Sequence, residues 1–307
     1  MRGAPLFIFE VAVPGVLAGG LYAIFALGLS LSVGVLRVIN IAHAAMLTLA
    51  PVLAIEYAGS SYPGSSSIFV VILVGVLVGV ACGLLQELVM IRPIRRAERL
   101  SARQAERATL IGSVAIWFVL NSITIVRTHA QVVPFPRDVF ASSTYRWGDL
   151  YVSRAQLITF GTAIVLFGAL AVVIAKTQVG RQVRALANDH EAAGLIGVNV
   201  DAYSAGCSAL AGALAGLAGM LLAMTLSAFD YANGTDLLAK GFVIVVVGGL
   251  GSIGGTFVVA LGLGVAEAFL GFYFGTQWQT MAAFGILVLV LMARPGGLLG
   301  VQKVRAV

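Results

Sequence analysis

The sequence predicts an all-α fold, a polytopic bundle of transmembrane helices with about eight or nine crossings and some short or broken membrane elements. Three observations predict it. Hydrophobic residues make up 60% of the 307-residue chain and charged residues only 10%, with a mean hydropathy of +1.00. A water-facing surface needs roughly 25% charged residues, so the outside of this chain must face hydrocarbon. The apolar runs reach the ~20 residues that a helix needs to cross a bilayer. Nowhere do ten-residue stretches alternate polar with apolar, as the strands of a membrane barrel do.

In order, the runs are Val11–Val35, Ile41–Ala58, Ile68–Ile91, Ala108–Val126, Ala155–Ala175 and Tyr203–Leu226. A shorter run, Phe242–Leu250, follows Asp236, and Thr256–Phe274 and Met281–Met292 close the series. No polar stretch is long enough to build a soluble domain, so residues 1–307 read as a single transmembrane unit. The N-terminus does not read as a signal peptide: Arg2 is its one charge, and the apolar run passes residue 30 without a small-residue cleavage site. Rows of small residues at four-residue spacing suit close helix packing in lipid. They are Gly75, Gly79 and Gly83; Ser208, Gly212 and Gly216; Gly251 and Gly255; Gly271 and Gly275.

Loop charge sets the orientation. Arg92, Arg95, Arg96, Arg99, Arg103 and Arg107 crowd one connection, Lys176, Arg181 and Arg184 another, and Arg294, Lys303 and Arg305 the tail. Basic loops stay on the cytoplasmic side, which leaves Arg127–Arg154 and Ser227–Asp236 outside. Counting back puts the N-terminus outside with nine crossings, or gives eight if one segment is re-entrant. The net charge of +6 therefore belongs to topology. No basic patch with interleaved aromatics points to nucleic acid.

Two interruptions break the apolar pattern, Arg37–His43 and Gly248–Gly255. Broken or glycine-rich membrane segments in the two halves of a transporter mark binding sites, and irregular backbone at membrane depth survives only inside protein or beside a wet cavity. Asn40, His43, Gly249, Gly251, Ser252 and Gly254 are accordingly candidates to line a solute path. Glu267, deep in an apolar run, is the clearest intramembrane ionisable residue, and Asn121 is the amide of the fourth run. Glu87 lies one turn from Arg92 and reads as an interfacial ion pair.

Several chemistries find no support. Gly249, Gly251 and Gly254 match a dinucleotide fingerprint literally, but an apolar span follows where a soluble βα unit is required. Cys82 and Cys207 lie in apolar runs without CxxC spacing, and three scattered histidines make no metal set. No GxSxG nucleophile or Walker A loop is present, so no cofactor is expected and any ATP would be used by a partner. Other readings are an ion-coupled transporter, which predicts more intramembrane carboxylates, a channel, and a membrane enzyme.

The stretch from Val179 to Asp201 fits a short amphipathic helix at the membrane surface, running over 183–197 and closed by Gly194 and Gly197. With it the sequence resembles the LivH-type permeases of branched-chain amino acid ABC importers over nearly its whole length. The resemblance rests on Gly19–Gly28, on Ile39-Asn40-Ile-Ala-His43, and on Gly180-Arg181 with Arg184, Asp189, Gly197 and Asn199. It continues through Gly248–Gly255, Ala266-Glu267-Ala268 and Arg294–Gly300. It implies an importer permease half in the bacterial inner membrane, paired with a second, LivM-like permease chain. It further implies cytoplasmic ATPases and an extracytoplasmic binding protein, with a branched-chain amino acid as the small-molecule cargo. Urea, short amides and small organic acids are the other cargo classes of such permeases. Glu191, Ala192, Ala193 and Gly194 are similar to the EAA element that couples importers to their ATPases, so the resemblance implies a coupling role for them with Arg184, Asp189 and Gly197. The family often follows the histidine of its Asn-x-Ala-His pattern with Gly-Glu. Here Ala44 and Ala45 follow His43, and no role for that acid carries over.

Overall fold

The computed structural model describes residues 4–61, 67–97, 101–136, 140, 143–148, 150–294 and 296–299. Arg2, Arg99, Gly300, Lys303 and Arg305 lie outside the described residues. The helices are α1 (Ala4–Gly34), α2 (Ala42–Ser61), α3 (Ile68–Gln86), α4 (Arg92–Arg95), α5 (Ala102–Thr128), α6 (Arg154–Lys176), α7 (Gln178–Asn188), α8 (His190–Leu195), α9 (Val200–Leu226), α10 (Asn233–Gly248), α11 (Ile253–Phe274) and α12 (Gln277–Ala293). A π-helical turn, Glu87–Ile91, carries α3 into α4. Among the described residues six helices are long and apolar enough to cross a membrane, with shorter apolar helices at Ala42–Ala58 and Gln277–Ala293. The chain is therefore a multi-pass, all-α membrane protein.

Short strands add what the apolar pattern does not reveal. β1 (Val133–Pro134) pairs antiparallel with β4 (Ala228–Phe229), and β2 (Thr144–Trp147) forms a hairpin with β3 (Leu150–Ser153). The β1–β4 pair holds the α5–α6 and α9–α10 connections at one end of the bundle. At the other end Arg37, just past α1, donates to the carbonyls of Ala187 (3.3 Å) and Asn188 in α7. Arg95 there donates to Asp201 at the start of α9, 2.6 Å.

Helix ends follow local chemistry. Ser101 and Ser153 open α5 and α6 with reciprocal boxes to Gln104 and Gln156, which satisfy backbone donors that no helix residue can reach. The core is built around α1, against which α6, α9, α10 and α11 pack. Ile24, Phe25, Leu27 and Leu29 of α1 are wholly buried. The outer faces of α3, α5 and α12 carry exposed Phe69, Leu73, Leu77, Phe118, Val119, Val288 and Leu289, residues that stand outside only where the surroundings are apolar.

Three expectations need correction. The run Phe242–Leu250 is too short, because α10 begins at Asn233 and takes in Asp236 and Lys240. A lysine ends an apolar run on paper, but here Glu267 neutralises it. The stretch 183–197 is two helices, not one: Asp189 leaves the helical conformation (φ −161°) and caps α8. Of the small-residue rows, those of α3 and α9 face each other backbone to backbone, whereas Gly271 meets the Gln279 side chain and Gly275 lies in the α11–α12 turn at φ +94°.

Candidate functional site

The coupling candidates form a compact hook. Thr177 caps α7 through the Gly180 amide at 3.1 Å. Asp189 caps α8 by accepting from the amides of Glu191 (2.8 Å) and Ala192 (3.0 Å). Those backbone donors, Ala192 first and then Glu191, hold its carboxyl below the ordinary carboxylate range. Beside it His190 is held below the ordinary imidazole range, first by burial and then by the cations of Arg37 and Arg95, so it is neutral at physiological pH. Gly197 closes α8 at φ +88°. Its amide bonds Gly194 and that of Val198 bonds Ala193, each at 3.0 Å, the two-bond left-handed stop that glycine makes at least steric cost. Gly194 itself lies inside α8. Beyond Ala193, which is buried, the tip presents Leu195 at 89% and Ile196 at 74% exposure.

α7 folds back on α6 because Gly180 permits it. A Cβ there would lie 2.3 Å from the carbonyl oxygens of both Val173 and Ile174, and Arg184 donates to the same Ile174 carbonyl. Gly180→Ala should therefore tilt α7 off α6 and cut the rate of crosslinking between cysteines placed at 176 and 184 at least tenfold. Unchanged crosslinking would refute that role.

The path candidates fall into separate groups. Asn40 and Gln86 of α3 exchange two amide hydrogen bonds of 2.9 Å. The Ser113 hydroxyl of α5 donates to the Ile39 carbonyl, 3.2 Å, and accepts from the Ile41 amide, 3.4 Å. The interruption after α1 is thus irregular backbone, with Asn40 buried and Arg37 and Ile39 exposed, tied down by α3 through Gln86 and by α5 through Ser113. His43 lies in the first turn of α2, not in the break; its ring, fully buried, contacts the Phe25 carbonyl at 3.2 Å and stacks tilted on Phe25. Asn121 is half-buried on α5, and among the described residues it shares no hydrogen bond with the others.

The second interruption is a tight turn between α10 and α11, with Gly249 at φ +98° and Gly251 at +79°. Ser252 caps α11 through the Gly255 amide, 3.1 Å, and Gly254 lies in its first turn. The turn lies at the end of the bundle that carries Arg37 and α7: a Cβ on Gly34 would come within 2.3 Å of the Gly251 Cα. Gly251 and Ile253 share the walls of a small cavity with Arg184 and Ala187.

Glu267 is buried on α11. Its Oε2 accepts from Lys240 Nζ of α10 and from the Tyr22 hydroxyl of α1, both at 2.7 Å, and Lys240 also donates to the Tyr22 oxygen at 3.0 Å. The Glu267 Oε1 is buried and has no hydrogen-bond partner among the described residues. A second charged group ties α3 and α4 to α9. Glu87, wholly buried, pairs with Arg95 at 3.1 Å, not with Arg92 as its spacing suggests, and accepts from Ser204 (2.9 Å) and Ser208 (3.2 Å).

This arrangement contains two irregular helix connections at one end of the bundle, a buried ion pair between α10 and α11, and a hook with an apolar tip. Comparison with known proteins names it. A family model described as the permease component of the branched-chain amino acid transport system matches residues 11–292. The chain belongs to that family. The permease is 31% identical to the high-affinity branched-chain amino acid transport permease BraD of Pseudomonas aeruginosa, across 96% of both chains. It is 27% identical to the corresponding LivH protein of Salmonella typhimurium, across 98% of both. It also matches the ribose import permease RbsC of Haemophilus influenzae, 26% identical across 92% of this chain and 81% of the relative. No solved structure matches. The permease is a transport protein, not an enzyme.

Sequence reasoning names Glu267 and passes over Tyr22 and Lys240. An opposite charge in the neighbouring short run is the signal that could have found Lys240. Gln86, Ser113 and Asp201 carry no such signal, because their roles arise from helix packing.

Proposed function

We propose that this permease is one membrane half of an ATP-driven importer in the bacterial inner membrane that moves branched-chain amino acids into the cytoplasm. The observation that carries the reading is the match over residues 11–292, joined to relatives of nearly full length named for that cargo. Residues 1–307 act as one transmembrane domain with the N-terminus outside. A second, similar permease chain completes the path, an extracytoplasmic binding protein delivers solute, and cytoplasmic ATPases supply the energy.

The segment 179–201 is the coupling element. Leu195 and Ile196 form an apolar knob for an ATPase groove, and Asp189, Glu191, Ala192, Ala193, Gly194 and Gly197 fix its shape. When the ATPases close, the hook moves with them. Arg37 passes that movement to the break between α1 and α2, and Asn199 and Asp201 pass it to α9. Asn40, His43, Asn121, Glu267 and the turn Gly249–Gly254 are the candidate path residues, which alternately open to the two sides.

The test is purification of the tagged permease from its host in mild detergent, with mass spectrometry of what stays bound. Recovery of Walker A ATPases and a second polytopic chain is expected. Replacing Leu195 and Ile196 together by Asp should release the ATPases and lower uptake at least tenfold. A permease that purifies alone and still transports would end the proposal. Titrating the cognate binding protein with leucine, ribose and urea decides the cargo, with leucine expected to bind.

A further inference from the structure

Resting on that reading, we infer that Lys240, Glu267 and Tyr22 form the site where the permease holds the charged head of a zwitterionic solute. Lys240 donates to the carboxylate and Glu267 accepts from the ammonium. A lysine at the middle of α10 and a glutamate in the C-terminal half of α11 are expensive in a bilayer, and charges kept there mark solute or ion pathways. A purely structural clamp is a poor reason to keep them, because a buried ion pair contributes little that well-packed apolar side chains would not.

The unused hydrogen-bonding capacity matches the ligand. An ammonium has three donors, and Lys240 spends two, on Glu267 and Tyr22. A carboxylate has two oxygens, and the Glu267 Oε1 has no partner among the described residues although the residue is only 3% exposed. One donor and one acceptor thus remain, of opposite charge and side by side. An amino-acid head carries the complementary pair, one carboxylate and one ammonium. The zwitterion adds one bond to each partner, its carboxylate on the spare Lys240 donor and its ammonium on the Glu267 Oε1, without changing the net charge of the site. The Tyr22 hydroxyl can turn to either partner and holds Lys240 in register. Its ring also lies under the ammonium, 4.8 Å from centroid to Nζ, within the range of a cation–π contact.

The side chain of Lys240 is 14% exposed and that of Glu267 5%, so the lysine is the member a solute meets first. Thr235 and Asp236, one turn further toward the β1–β4 end, are exposed on the same helix. The geometry gives entry from that end a defined order: the carboxylate meets Lys240, and the ammonium then meets Glu267.

The experiment uses the whole transporter in ATP-loaded proteoliposomes with its binding protein. Wild-type leucine uptake tests the underlying reading by itself; its absence would sink that reading irrespective of the site. Given uptake, Lys240→Met with Glu267→Met removes both charges together, so the subunits should assemble in wild-type proportions while uptake falls at least 30-fold. Uptake within twofold of wild type would overturn the site. A second measurement requires no variant: labelled leucine is bound to the wild-type membrane complex without binding protein. Isoleucine should compete, whereas isopentylamine, which lacks the carboxylate, and 4-methylpentanoate, which lacks the ammonium, should each compete at least tenfold more weakly. Equal competition by either would overturn the zwitterion assignment.

Discussion

Arg95→Met is expected to destabilise the permease more than any other single change at the α7–α8 end of the bundle. Arg95 reaches three partners on two elements: Glu87 at 3.1 Å, Asp201 at 2.6 Å and the Ser204 hydroxyl at 2.7 Å. Its loss leaves the Glu87 carboxylate, wholly buried, with only Ser204 and Ser208 to solvate it. Stranding one member of a buried pair costs ~3–5 kcal/mol, whereas Asp201 keeps Arg96 and is more exposed. The thermal midpoint of the purified permease should therefore drop by about 10 °C. Adding Glu87→Gln should restore most of it, because an amide keeps the serine contacts without a charge to strand. Arg95→Lys should fall between, since an ammonium cannot fork to both carboxylates as a guanidinium does. If Arg95→Met melts within about 2 °C of wild type, or Glu87→Gln brings no recovery, the cluster is a bystander and the π-helical turn that begins at Glu87 needs another explanation.

This cluster shows where sequence reading stops. The expected interfacial pair at Glu87 exists, but with Arg95, two turns further on, because the π-helical turn changes which residues stack above the carboxylate. Asp201 looks like the end of a loop and is in fact the first turn of α9, where an acidic side chain suits the helix dipole and meets three arginines. Such partners lie more than a hundred residues away and leave no local pattern. What periodicity and composition do carry is membrane burial: the long runs sit where expected, and both interruptions are real breaks. α10 fails that reading because burial of Lys240 depends on Glu267, a tertiary fact. The stretch 183–197 reads as helix formers punctuated by polar residues, while its division at Asp189 follows from one side chain capping the next helix.

The small-residue rows make the same argument testable with one substitution at different sites. Gly79 and Gly212 are interlocked: a Cβ on Gly212 would lie 2.1 Å from the Gly79 carbonyl oxygen, and one on Gly79 would lie 2.2 Å from that of Gly212. A Cβ on Gly83 would likewise meet the Ser208 oxygen at 2.2 Å. The obstructing atoms are backbone, so no rotamer relieves them and α3 must move away from α9. Forcing that gap costs about 1–3 kcal/mol or more, and in lipid no hydrophobic force recloses it. Gly212→Ala should lower the thermal midpoint by at least about 5 °C, and Gly212→Leu should prevent recovery of folded protein. Gly161 and Gly168 of α6 provide the contrast, for a Cβ at either meets nothing within 4 Å. Alanine there should raise stability by roughly 0.4–1 kcal/mol through the unfolded chain's lost freedom. Equal effects on α6 and α9 would mean that glycine content, rather than the α3–α9 contact, sets stability. The consequence reaches the charged cluster too: Ser208 presents its carbonyl to Gly83 and its hydroxyl to Glu87. Any widening of the glycine seam therefore pulls a donor away from the buried carboxylate, and Gly212→Ala combined with Arg95→Met should cost more than the sum of the two, because Arg95→Met leaves Glu87 dependent on that donor.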